Sequence, residues 1–301
     1  MICWRSLYPP RQCPLEVGHR DRLGDHIVHS SADALVVDLG ARVYLGDLDL
    51  ADAEAAALGL GPRARALPLD VASRDSFERF LGTIEAEYGP LDVLINNAGI
   101  MPTGRFLAEA DAISEVAMRV NCGGVALGMK LVLPGMIERG RGHVVNVVSL
   151  AGKLHVPGMA SYVASKHAAL GLSAAVRSEL RGTGVSVSAV LPGAVRTRLA
   201  SGIPLEGVFA VGPEAVAREV IRTCRTREAE VTVPRWIGHV PKWAISGFRR
   251  AFGDTQLLDS TDSSVRREYD AAIKAQSERL AVGAAAPDPT RGGASPVGAA
   301  S

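Results

Sequence analysis

The stretch S-Y-V-A-S-K, Ser161 to Lys166, carries a phenol and an ammonium four positions apart. On a helix, Tyr162 and Lys166 would share one face, a turn apart. Such a pair is either an exposed surface contact or a tyrosine tuned to hand over a proton. A free tyrosine has a pKa of about 10, which makes it a poor base at neutral pH. Bringing it near 7 takes roughly 4 kcal/mol of preferential phenolate stabilisation, at ~1.4 kcal/mol per unit. An ammonium held close by in a partly dry cleft can supply an effect of that size. The neighbours decide between the two readings. Ser149 ends the apolar run H-V-V-N-V-V-S, thirteen positions before Tyr162. N-N-A-G, Asn96 to Gly99, closes D-V-L-I, and Asn121 lies in R-V-N-C-G-G. L-P-G-A-V-R-T, Leu191 to Thr197, follows V-S-V-S-A-V.

These residues need a scaffold, and the hydrophobic pattern supplies one. A-R-V-Y-L-G, R-A-L-P-L-D, D-V-L-I-N-N, H-V-V-N-V-V-S, V-S-V-S-A-V-L-P and E-V-T-V-P read as strands. They are near-continuous apolar runs, as expected for strands covered on both faces. Between them, D-S-F-E-R-F-L-G-T-I-E-A-E-Y-G and Y-V-A-S-K-H-A-A-L-G-L-S-A-A-V-R-S-E-L-R-G have helical periodicity and end at glycine. Strand and helix in alternation predict an α/β fold, a doubly wound parallel sheet in a three-layer α/β/α sandwich. Ligands of such sheets bind beyond the carboxyl ends of the strands, where three of the four flanking stretches fall.

With these motifs in this order and spacing, residues 34–233 resemble the short-chain dehydrogenase/reductase family. The resemblance implies a Rossmann-type oxidoreductase that moves a hydride between a nicotinamide cofactor and a secondary alcohol or ketone. It implies Asn121, Ser149, Tyr162 and Lys166 as a catalytic tetrad. Ser149 would hold the substrate oxygen, Tyr162 would transfer the proton, Lys166 would also hydrogen-bond the nicotinamide ribose, and Asn121 would anchor a water. Asn96, Ala98 and Gly99 match the stretch bordering the cofactor. Pro192, Gly193 and Thr197 match the segment at its nicotinamide end, and Asp70 matches a contact to adenine. The resemblance also implies a homodimer or homotetramer.

Asp47 ends the strand A-R-V-Y-L-G, where dinucleotide folds place an acid against the adenosine ribose. A carboxylate there accepts from a ribose diol and repels a 2′-phosphate, so NAD is expected over NADP. Asp49 is the alternative reader if the register slips. The family's first turn, T-G-x-x-x-G-x-G, is absent: the corresponding segment reads D-H-I-V-H-S-S. Losing two or three hydrogen bonds to a charged ligand, at roughly 1.5–3 kcal/mol each, would weaken binding by about 3–9 kcal/mol. The alternative function is therefore a binding or scaffold protein on this fold that cannot hold the dinucleotide.

Residues 1–30 are polar and poorly patterned, and the first strand with its phosphate loop is expected to be degraded or missing. Residues 31–234 form the catalytic domain, 235–280 a helical extension, and 281–301 a disordered tail rich in Pro and Gly. In the extension, Trp236, Trp243, Ile245, Phe248 and Phe252 mix with Lys242, Arg249 and Arg250. Segment 236–252 is read as a lid or interface, with peripheral membrane contact as the alternative. Either fits a lipophilic substrate. The net charge of +1 argues against nucleic acid as a partner. The four cysteines, Cys3, Cys13, Cys122 and Cys224, have no metal-ligand spacing, so no metal is expected. Their scatter, with no apolar run long enough to span a bilayer and no secretion signal, gives a cytoplasmic expectation. His155 is read as a solvated loop residue, and Met101 and Met159 as core packing.

Overall fold

The computed structural model describes the backbone of residues 2–5, residues 41–195, 199 and 210–240, and individual helical residues between 267 and 278. Residues 31–40 at the start of the catalytic domain, Thr197, and 241–252 of the C-terminal segment lie outside the described residues.

The strands are β1 (Ile2–Arg5), β2 (Arg42–Asp47), β3 (Ala64–Pro68), β4 (Val93–Asn96), β5 (Gly142–Val147), β6 (Val185–Pro192) and β9 (Glu230–Val233). They form one sheet in the order β3-β2-β1-β4-β5-β6-β9. A separate two-residue pair, β7 (Ala194–Val195) with β8 (Ala210–Val211), follows β6. The helices are α1 (Leu50–Leu60), α2 (Arg74–Tyr88), α3 (Asp111–Met118), α4 (Gly124–Glu138), α5 (Ala160–Glu179) and α6 (Pro213–Thr226). Side chains alternate across the strands, so each apolar run feeds two cores. The cross-strand row Leu94, Val144, Val187 packs with Phe77 and Phe80 of α2 and Met129 and Met136 of α4. Val43, Leu45, Ile95 and Val145 pack on the other face with Ala53 and Ala57 of α1 and Val216 and Val220 of α6. Ile273, from the C-terminal segment, is buried in the first of these cores.

Three features differ from the sequence expectation. The first concerns β1. The first strand, expected to be degraded or missing, is degraded rather than absent: I-C-W-R fills the slot between β2 and β4, pairing antiparallel to both. An open slot in mid-sheet would leave two rows of backbone N–H and C=O groups unpaired, and almost any extended tetrapeptide removes that cost. The consequence is topological. Ile2 lies beside Leu45 and Ile95, whereas Arg5 lies beside Arg42. The chain therefore leaves β1 at the amino end of the neighbouring strands, away from their carboxyl ends.

The second concerns Asn121. It sits in a π turn, Arg119–Gly123, that joins α3 to α4 in a continuous helix. The Gly124 N–H bonds the Arg119 carbonyl, five residues back. The third is that helix itself. Asp111–Glu138 spans 28 residues and is apolar enough to cross a membrane by length and composition. Its apolar side chains, Val125, Met129, Val132 and Met136 among them, go to the domain core instead.

Candidate functional site

Tyr162 and Lys166 occupy the first turns of α5 and are both buried, at 5% and 4% exposure. The Lys166 Nζ stands 5.7 Å from the Tyr162 ring centroid, so the two share a face as the spacing implied. Beyond β5, Ser149 caps the short turn Leu150–Gly152, its Oγ accepting from Ala151 N at 3.1 Å. The same hydroxyl is close enough to the Tyr162 phenol to favour its ionised form. Capping and pairing with the tyrosine are therefore one geometry: the cap fixes the hydroxyl that meets the phenol.

The electrostatics differ from the expectation. Burial pushes the Tyr162 phenol up from its ordinary value, opposed by the Ser149 hydroxyl. Burial also pulls Lys166 down, to about 8. In this dry setting removing water from both groups outweighs their mutual influence, so Lys166 does not bring the phenol toward 7. The tyrosine is held as the protonated phenol, which suits a proton donor.

Asn121, 1% exposed, is committed to the protein. Its Oδ1 accepts from Ile100 N at 2.8 Å. Its Nδ2 donates to Ile100 O and to Ser165 Oγ, each at 2.9 Å. Ser165 Oγ in turn donates to Tyr162 O at 2.7 Å. The π turn thus ties the loop after β4 to the first turns of α5, a common use of such bulges. With both amide protons engaged, the Asn121 side chain acts as a brace, and the expected water would fall to another of its atoms.

Asn96 differs too. Its side chain runs into the core, where Nδ2 donates to Asn146 Oδ1 at 2.9 Å. Asn146 Nδ2 donates to Ser173 Oγ at 2.8 Å, which joins β4 and β5 to α5. The two asparagines are cross-strand partners. The interior cannot leave either amide unpaired, so each answers the other. Sequence reading missed Asn146, although a lone amide in H-V-V-N-V-V-S was the available signal. It also missed Ser165, Ser173, and the Glu109 carboxylate, which accepts from Ser161 and Ser114 beside the start of α5.

The cofactor candidates fall into two groups. Ala98 and Gly99 lie in the loop beyond β4, half-buried. A Cβ at Gly99 would stand 3.1 Å from Asn121 Oδ1 and 3.4 Å from Lys166 Nζ, so only glycine leaves this approach clear. Lys166 itself is a buried cation whose one hydrogen bond among the described residues is a long one, to Val147 O at 3.5 Å. Its spare donors fit the hydroxyls of a nicotinamide ribose. Pro192 ends β6, and Gly193 N donates to Val233 O at 2.8 Å. Asp47 ends β2, with Oδ1 accepting from Asp49 N at 3.0 Å. Asp49 is the cap of α1, its carboxylate accepting from Ala51 N and Asp52 N. Asp70 Oδ1 accepts from Ala72 N at 2.9 Å, a turn-forming bond. The residues present thus fit the nicotinamide riboside half of a dinucleotide. For the pyrophosphate, the described residues offer no glycine-rich turn between the ends of β2 and β4, because β1 runs the wrong way to lead into one.

Beside the tyrosine, Met101, Ala151 and Met159 are buried against Tyr162, with Val156, Val163 and Leu199 packed around them. The methionines are core residues and the tyrosine's apolar wall at once. His155 is an exposed loop residue, as expected; its ring lies 5.7 Å from that of His167, and both line an open groove. Among the described residues no group of three metal-ligating side chains occurs.

Comparison with known proteins extends this reading. Residues 25–206 match the family described as short chain dehydrogenase. The ketoacyl reductase HetN of Nostoc sp. is 37% identical over 180 residues, 58% of this chain and 62% of that protein. The inactive 2-(S)-hydroxypropyl-CoM dehydrogenase 2 of Xanthobacter autotrophicus is 39% identical over 160 residues, 53% of this chain and 69% of that protein. The chain spans about three-fifths of the length of the first curated relatives it matches. Among solved structures, a metagenomic short-chain oxidoreductase in complex with NADP superposes with a TM-score of 0.58 at 29% identity, covering 68% of this chain and 89% of that one.

Proposed function

The chain belongs to the short-chain dehydrogenase family, and from that premise we propose that it is an NAD-dependent carbonyl reductase and alcohol dehydrogenase acting on ketones or secondary alcohols with an apolar body. The observation that carries this reading is the buried pair Tyr162 and Lys166 on one face of α5, with the Lys166 Nζ 5.7 Å from the tyrosine ring and the Ser149 hydroxyl acting on the phenol.

A substrate carbonyl placed there accepts from the Ser149 and Tyr162 hydroxyls. When bound, the nicotinamide ring supplies the hydride that the carbonyl carbon takes up. The Tyr162 proton passes to the carbonyl oxygen, which gives the alcohol and leaves a phenolate. The Lys166 ammonium stabilises that phenolate as it forms. Oxidation reverses each transfer. Burial keeps Tyr162 protonated, which favours reduction at neutral pH. The wall of Met101, Ala151 and Met159 favours an apolar substrate. Asp47, at the end of β2, favours NAD by repelling a 2′-phosphate, although the metagenomic relative carries NADP.

The test is ketone-dependent oxidation of NADH by the purified chain, with 2-heptanone as first substrate and NADPH as comparison. Turnover faster with NADH, and abolished in Tyr162→Phe, supports the proposal; no turnover with either cofactor overturns it.

The reversed β1 favours a second reading, a binding or scaffold protein on the same fold that does not retain the dinucleotide. Fluorescence titration with NADH separates the two. Saturation at micromolar levels supports the enzyme, and no binding at millimolar levels supports the second reading.

A further inference from the structure

Helix α5 carries both the tyrosine and the lysine, yet its own sequence does little to hold its start. Met159 stands at its N-cap with no side-chain bond into the first turn, and that turn contains no acid. By contrast, α1 is capped by Asp49 and α2 by Ser73. The first N–H groups of a helix have no partner within it, so a start without a cap is held less firmly. Tyr162 lies in this first turn, where a small displacement of the backbone is passed on to the phenol.

Another element supplies the missing hold. Glu109, two residues before α3, accepts through Oε1 from Ser161 Oγ and, at 2.6 Å, from Ser114 Oγ. The two hydroxyls are themselves 3.0 Å apart. Ser161 is buried and immediately precedes Tyr162. Hydrogen bonds to a carboxylate are stronger than those between neutral groups, so this is a firm link. The loop after β4 is thereby fastened to the start of α5 at three points. Ile100 is held through Asn121 to Ser165, Gly104 N donates to Gly158 O at 2.9 Å, and Glu109 takes Ser161. The outer two grip α5 on either side of Tyr162, at Ser161 and Ser165. We propose that Glu109 is a positioning residue: its hydrogen bond to Ser161 fixes the first turn of α5, and with it the place of the Tyr162 hydroxyl beside Ser149. This role rests on the proposed function only for its effect on turnover, because the place of the phenol can be read without cofactor or substrate.

The test uses the full chain with Glu109→Ala, Glu109→Gln, Ser161→Ala and the double variant Glu109→Ala, Ser161→Ala. Glu109→Ala should lower kcat for reduction of 2-heptanone by NADH about ten- to hundredfold, with the ketone KM within about twofold, because the apolar wall stays in place while the phenol moves. Glu109→Gln keeps the length and an accepting oxygen and should recover most of that loss. The double variant should lose no more than the worse single one, since both changes cut one link. Independently of turnover, the carbon-13 ring signal of Tyr162, one of five tyrosines and identified by its loss in Tyr162→Phe, should move in ligand-free Glu109→Ala. A Tyr162 signal that stays in place, a loss carried by KM, no recovery in Glu109→Gln, or additive losses in the double variant each overturns the positioning role. No turnover by the parent, with the signal still moving in Glu109→Ala, would instead sink the reductase reading and leave the positioning role standing.

Discussion

The two halves of the sheet have kept different things. From β4 to β6 the strands are parallel, in register, and joined to α5 through Asn96, Asn146 and Ser173. Every group around Tyr162 is braced by at least one neighbour. On the other side of β4 helices again cover both faces of the sheet, yet β1 is reversed between β2 and β4. The lesson is that a sheet's packing and its ligand chemistry make separate demands. Packing asks only that the slot be filled and its backbone paired, and either strand polarity does that. Binding a pyrophosphate asks that the strand end at the carboxyl edge and turn into a helix there. Reversal satisfies the first demand and fails the second.

The comparison breaks most directly on cofactor affinity. If the half around β1 has lost its phosphate cradle, NADH should bind about two to six orders of magnitude more weakly than with the missing hydrogen bonds in place. The isolated half-ligand, reduced nicotinamide mononucleotide, should bind nearly as well as NADH, because the residues that fit lie at the nicotinamide end. Calorimetric titration of both ligands checks this. A NADH affinity hundreds of times that of the mononucleotide would mean that other parts of the chain rebuild the cradle.

In the intact half the largest effect is expected at the phenol. Tyr162→Phe removes the transferable proton and leaves the buried ring in place, so the fold should persist. Ketone reduction should fall by about two to four orders of magnitude, with little change in substrate KM. Stopped-flow oxidation of saturating NADH measures it. A loss below tenfold would show that the braced geometry is structural and that proton transfer runs through another group.

How much of this was legible follows the same division. Strands β2, β4, β5, β6 and β9 could be read because they are largely buried on both faces, which leaves unbroken apolar runs. The pair Tyr162–Lys166 was legible because a helix fixes what four positions mean. β1 was not, since I-C-W-R is too short to show a period and its pairing is set by the vacant slot. The side-chain partners of Asn96 and Asn121 were not legible for a common reason: an amide's partners are distant in sequence, and Asn121 meets Ile100 and Ser165 only once the helices pack. The direction of the Tyr162 shift was likewise invisible, because it depends on how far burial desolvates both groups.

Lys166 sharpens the contrast by showing what the intact half gives up for its chemistry. Its ammonium is buried without a carboxylate partner among the influences on it, and its pKa falls from 10.5 to about 8. The unfolded chain therefore holds more protons between pH 8 and 10.5, so stability should rise with pH across that window. Below pH 8 the full penalty applies, up to about 3 kcal/mol at ~1.4 kcal/mol per unit. Lys166→Met should stabilise the ligand-free protein by up to that amount at pH 7, flatten the alkaline rise, and abolish turnover. Urea unfolding at pH 7 and pH 10 tests the sign. A destabilised variant would indicate that the ammonium is already compensated, and that its spare donors do not await a ribose.

His143 gives the smallest effect and the control for that argument. It lies at the amino end of β5, fully buried, with Nδ1 against the Ser186 carbonyl and hydroxyl. A carbonyl can only accept, so Nδ1 carries the proton and Nε2 is left as a buried lone pair without a partner. Burial, reinforced by the nearby Arg227 and Arg177 guanidiniums, pulls its pKa down to about 3. Between pH 6.5 and 3 the unfolded chain takes up a proton that the folded one refuses, so stability should fall as the solution is acidified, by about 2 kcal/mol at pH 5. His143→Asn should flatten this acid limb and leave the alkaline rise of Lys166 untouched. The two limbs would then separate a buried base at the site from one with no part in it, on opposite ends of the same half of the sheet. If the acid limb survives in His143→Asn, the folded chain protonates His143 after all, and burial alone does not decide protonation in this core.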